Sequence, residues 1–141
     1  MRTPGFRLRP PAMALGPLAL AGLLSATACA PPSVQAPGEV GVCWRMDRAG
    51  EQPAFRVVAR NIRNLESCAV RLEGLRMMEG GAVAGAYQGH FVFTDAQQIT
   101  AATRLDGPRF SVFEQKARLE IQAGLRRLIE QQAAAAPAPA P

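Results

Sequence analysis

The sequence predicts a small α+β domain: a mostly antiparallel sheet with two helices on one face, in the order ββαβββα. Three observations carry that prediction. Short apolar runs alternate with a period of two, two longer stretches switch to helical spacing, and clusters of Gly, Pro, Asn and Asp separate them. A sheet and helices that are each apolar on one side bury those sides against one another in layers.

Val40, Val42 and Trp44 alternate with Gly41, Cys43 and Arg45, which predicts a first strand. Phe55, Val57 and Ala59 alternate with Arg56, Val58 and Arg60 and predict a second, joined to the first by a hairpin loop at residues 48–53. The period then changes. Leu65, Cys68, Ala69, Leu72 and Leu75 share one face of a helix. Asn64 stands at its N-cap, Glu66 is in its first turn, and Gly80-Gly81 ends it. Gly74 inside this stretch weakens its C-terminal part by about 1 kcal/mol of propensity.

Gly80-Gly81-Ala82-Val83-Ala84-Gly85 reads as a flexible connector. It lacks the lysine and the following helix of a phosphate-binding loop. Residues 86–94 and 98–103 read as strands turned by Asp95-Ala96-Gln97. Leu105-Asp106-Gly107-Pro108 is a further turn, before a fifth strand at residues 109–113. Ala117, Ile121, Leu125 and Leu128 form a stripe that predicts a second helix over residues 114–132. The domain thus spans residues 40–132, and residues 133–141, all Ala and Pro, read as a disordered tail with nothing to bury.

The N-terminus has a different character. Residues 1–11 hold three arginines and no acid, and residues 12–24 are apolar and uncharged. Small residues follow up to Ala28. This is the charged, apolar and small-residue order of a secretory signal peptide at residues 1–28. The apolar run of about 13 residues falls short of the roughly 20 that a membrane-spanning helix needs. Arg2, Arg7 and Arg9 belong to that leader. Of the 16 basic residues 13 remain against 11 acidic ones, a mature charge of +2. So small an excess gives no support to a nucleic-acid partner.

Leu24-Ser25-Ala26-Thr27-Ala28-Cys29 resembles a bacterial lipobox, with Ala26 where the family usually has leucine. The resemblance covers only these first 29 residues. It implies a lipoprotein precursor whose Cys29 carries a diacylglyceryl anchor. Residues 29–39, rich in proline and uncharged up to Glu39, would be the tether. Ala30 in place of an aspartate implies the outer membrane, with the domain facing the periplasm. Lipidation of Cys29 accounts for the odd cysteine and leaves Cys43 and Cys68 to pair, as an oxidising compartment permits. Ala26-Thr27-Ala28 also fits an ordinary signal peptidase, which would leave a soluble periplasmic or secreted protein.

No catalytic constellation stands out. His90 is the one histidine; Asp95 or Ser111 can be posed as its partner, as can any other polar residue, and neither spacing marks a site. Ser67 and Ser111 lie outside any nucleophile motif. The cysteines are too far apart for a redox C-x-x-C pair or a zinc site, and no cofactor or metal is expected. Arg60, Arg63, Arg71 and Arg76 interleave with Glu66, Glu73 and Glu79 and read as a solvated, ion-paired face. Tyr87, Phe91, Val92 and Phe93 read as core. The expectation is a non-enzymatic accessory or interaction module held at the envelope membrane, with a protein as its partner. The alternative is a soluble periplasmic domain that binds a small ligand between sheet and helices.

Overall fold

The computed structural model describes residues 33–48 and 52–136. The leader, Cys29 and residues 137–141 lie outside the described residues. The elements run β1 (Cys43–Asp47), β2 (Ala54–Ala59), α1 (Leu65–Glu79), β3 (Val83–Tyr87), β4 (His90–Thr94), β5 (Ile99–Ala102), β6 (Phe110–Ser111) and α2 (Gln115–Ala135). The six strands form one antiparallel sheet in the order β2-β1-β3-β4-β5-β6. This is the α+β fold and element order that the sequence predicts, with one extra strand.

The extra strand comes from residues 86–94, which break into two. Gln88 and Gly89 have φ of 44° and 79°, and Tyr87 pairs with His90 across them. Two consecutive residues at positive φ make the tight turn whose twist matches that of a hairpin. Residues 83–85, read as connector, therefore belong to β3. The first strand also starts later than expected. Val40 and Gly41 form a turn, with Gly41 at φ 72° and its carbonyl accepting from Ile62 N at 2.9 Å. The second helix runs on through Ala135, because Ala133–Ala135 are strong helix formers. It stops at Ala136, whose ψ of 130° is the extended conformation required of a residue before proline.

Helix α1 is capped at both ends as its sequence demands. Asn64 Oδ1 accepts from Ser67 N at 2.9 Å, and Gly80, at φ 78°, donates its N–H to Arg76 O at 2.9 Å. Cys68, Ala69 and Leu72 point into the sheet and are fully buried with Cys43, Tyr87, Val92 and Ile99. The Cys43–Cys68 disulfide joins β1 to α1, with the two Cα atoms 5.3 Å apart. Leu72 packs so closely on β3 that a Cβ at Gly85 would stand 2.6 Å from Leu72 Cδ1 and overlap the Trp44 carbonyl oxygen. Glycine is needed there for close approach rather than for a turn.

The other face of the sheet is also buried. Met46, Phe91, Phe93 and Ala102 form a second cluster, against which Phe55, Leu105, Val34 and Ala36 pack. Val34 and Ala36 belong to the stretch expected to be a tether. From Val34 onward it is a strap across the sheet, fixed by the Gly89 N–H donating to Pro37 O at 2.9 Å. Alternation of apolar Val34 and Ala36 with polar Gln35 gives this stretch one side to bury, which a free linker does not need.

Candidate functional site

The sequence-predicted positions fall into three groups. Cys29 lies outside the described residues. Cys43 and Cys68 are brought together as the disulfide. His90 is partly exposed at the start of β4, its Nδ1 3.2 Å from Gln88 O and its ring edge-on to Phe110 at 6.5 Å. Neither polar residue posed as its partner is turned to it. Asp95 follows the other end of β4, about 17 Å along the strand, and its Oδ1 accepts from Gln97 N at 2.7 Å and Gln98 N at 2.8 Å. The Ser111 hydroxyl donates to Phe113 O at 2.6 Å. The His90 hollow, lined also by Arg63, Asn64 and Tyr87, holds about 370 Å³. Tyr87 OH is engaged, donating to Ile62 O at 2.8 Å. Among the described residues, no group of His, Cys, Asp and Glu could hold a metal ion.

The charged face of α1 differs from the solvated surface expected. Glu73 is fully buried. Arg76 donates to it through Nε and Nη2, both at 2.8 Å, and Gln122 Nε2 of α2 donates to Glu73 Oε1 at 2.6 Å. Its hydrogen bonds to Glu73 hold the Arg76 guanidinium above its ordinary pKa. Glu79 pairs with Arg45 on β1 rather than within its own helix, and Arg60 pairs with Glu39 at 2.9 Å. The burial of Glu73 follows from α2 crossing α1 at this point, which no local pattern around Glu73 announces.

A second cleft, of about 540 Å³, lies at the end of the sheet between Arg45, Asp47, Phe93, Asp95 and Arg109. Two of its charges, Arg45 and Asp47, pair with each other. Asp47 contacts both Arg45 and Arg56, and the Arg56 hydrogen bond holds its carboxyl below the usual range. The Arg109 guanidinium stacks over the Phe93 ring, 3.7 Å from its centroid. The Trp44 Nε1 and Thr100 Oγ1 atoms are buried without partners among the described residues. They stand on β1 and β5, with two strands between them, so they define no common site.

The third feature is apolar. Helix α2 crosses α1, with Gln122 at Glu73 and Leu125 beside Gly74. Arg118, the buried residue of α2, donates to Ala96 O at 3.1 Å and ties the start of the helix to the β4–β5 turn. Between the helices and β2 runs a seam of about 590 Å³, lined by Val58, Val70, Leu75, Met78, Leu125 and Leu128. It is open: Met78 is 57% exposed and Leu128 56%. Arg71 is the one charged side chain on its walls. The predicted stripe Ala117, Ile121, Leu125 and Leu128 is thus a real helix face, but α1 covers only part of it. Sequence periodicity identifies such a face and not its occupant.

No protein-family model, no curated protein and no solved structure matches the chain.

Proposed function

We propose that the chain is an exported envelope lipoprotein that acts as a non-enzymatic accessory or interaction module. Cys29 holds it to the membrane, at the outer membrane facing the periplasm, and the α1–α2 seam is its docking surface. The leader and lipobox-like residues support export and anchoring. The Cys43–Cys68 disulfide supports an oxidising compartment. The observation that carries the interaction reading is the seam itself, an apolar trough whose Met78 and Leu128 stand more than half exposed. Exposed apolar surface of this kind marks binding sites for other proteins, and methionine suits a surface that adapts to its partner.

A soluble ligand-binding domain is the second reading, favoured by a seam volume within the roughly 300–1,000 Å³ of small-molecule sites. Such sites bury about 70–90% of their ligand. The open seam would leave a small ligand wet, whereas a protein partner brings its own cover.

Two measurements test the proposal. The intact mass of the processed protein extracted from bacterial membranes is expected to start at Cys29, carry a diacylglyceryl group and gain two hydrogens on reduction. An unmodified chain in the soluble fraction would discard the anchor. A photo-crosslinking amino acid in place of Leu128 is expected to give a protein adduct in the envelope, while one in place of Arg104 gives none. No adduct from position 128 sinks the docking surface.

A further inference from the structure

We infer that the side of α2 that meets the seam at Leu128 is covered by a second copy of this chain, whose α2 lies antiparallel along α2 of the first. The inference rests on reading the seam as an interaction surface and names its occupant.

At 3.6 residues per turn, Ala117, Ile121, Gly124, Leu128 and Ala135 fall on one side of α2. None is charged. Leu128 is the large side chain among them that stands more than half exposed. Nothing lies within 4 Å of the Cβ position of Gly124, so this side is open along the middle of the helix. An amphipathic helix ordinarily buries such a face. Here Ala117, Ile121 and Gly124 are only half-buried, and Leu128 and Ala135 are exposed.

The charges flanking the face select the occupant. Glu120 and Arg127 stand seven residues apart on the same flank, both exposed, and neither forms an ion pair among the described residues. In an antiparallel helix pair, residues on matching flanks meet. A two-fold axis beside Gly124 sets Glu120 level with Arg127 of the second copy and Arg127 level with its Glu120. The same axis places Leu128 opposite the gap between Ala117 and Ile121 of the other helix, a large residue facing a small one. The symmetry is isologous, so one sequence feature supplies both halves of the contact. The absence of a Gly124 side chain allows the helices to approach closely where they cross. With α2 about 31 Å long, the contact is a strip one helix wide. The dimer is expected to be a reversible one.

The test uses the full chain exported in bacterial cells, with a photo-crosslinking amino acid in place of Leu128. The expected product is an adduct of twice the monomer mass. Arg127→Glu alone, or Glu120→Arg alone, sets like charges against each other at both symmetric positions and is expected to reduce that adduct about tenfold. The double variant restores opposite charges and is expected to recover it. Correct Cys43–Cys68 pairing in each variant verifies folding. An adduct with a different protein overturns self-pairing and leaves the docking surface standing. Absence of any adduct overturns both. A double-mass adduct indifferent to the charge swaps overturns the antiparallel register.

Discussion

The two helices of this domain are held by different means. Helix α1 has a side-chain cap, an αL glycine stop, an acid in its first turn and a base in its last, and four of its residues are buried. Helix α2 is six residues longer, has no side-chain cap and neither charge at its ends, and buries Arg118. The first is part of the core; the second leans on it through Gln122–Glu73, with Leu125 beside Gly74, and on the β4–β5 turn through Arg118–Ala96. Length and periodicity are thus poor guides to how firmly a helix is fixed. What decides is how much of the apolar face finds partners.

That contrast is broken most sharply by paired truncations. Leu72→Ala opens a cavity between α1 and the sheet and is expected to cost about 3–4 kcal/mol. Leu125→Ala is expected to cost about 1 kcal/mol, because the seam beside it is already open. Urea unfolding of the two variants measures the difference; equal losses would mean that α2 is as much core as α1. Next in size is the disulfide. Replacing Cys43 and Cys68 together by alanine removes a link across a sequence separation of 25. The chain-entropy cost is about 3.5 kcal/mol at most, reduced by any structure kept in the unfolded chain. The variant is expected to keep its hydrogen-exchange pattern, with α2 exchanging before α1.

The smallest effect concerns Asp47, on β1, whose partner Arg45 also pairs with Glu79 at the end of α1. Its carboxyl is held below the ordinary 3.8, chiefly by its hydrogen bond with Arg56. A depressed carboxylate contributes stability above its unfolded value, and that contribution is lost as pH falls through the folded value. The stabilities of the wild type and of Asp47→Asn are expected to draw together as pH falls below 3.8 and through the lower folded value. At neutral pH they are expected to differ by no more than about 0.5 kcal/mol, since Arg56, the chief partner, is largely solvated.

Much of this fold was legible because its signals are local. Asn64 and Gly80 bracket α1 through their own hydrogen bonds and φ angles, and Asp95 makes its turn through its own carboxylate. The Gln88–Gly89 turn was hidden because glutamine is not a residue that favours positive φ, so the chain read as one long strand. The strap at Val34 and Ala36 was hidden by the prolines around it, which mark both linkers and extended segments laid on a sheet. The apolar residues of the seam were visible as stripes on their helices. Their exposure, like the burial of Glu73, depends on where α2 crosses α1, and that is a tertiary fact.

The strap also sets a distance. With Cys29 as the point of attachment, four residues separate it from Val34, where the strap packs on the sheet. Four residues extend to about 14 Å, close to the radius of a domain of this size. An anchored copy could neither rise far above the bilayer nor rotate freely on its leash. Its encounters would be those of a body diffusing in a plane, where neighbours on the same surface meet at an effective concentration far above that of the same molecules in bulk solution.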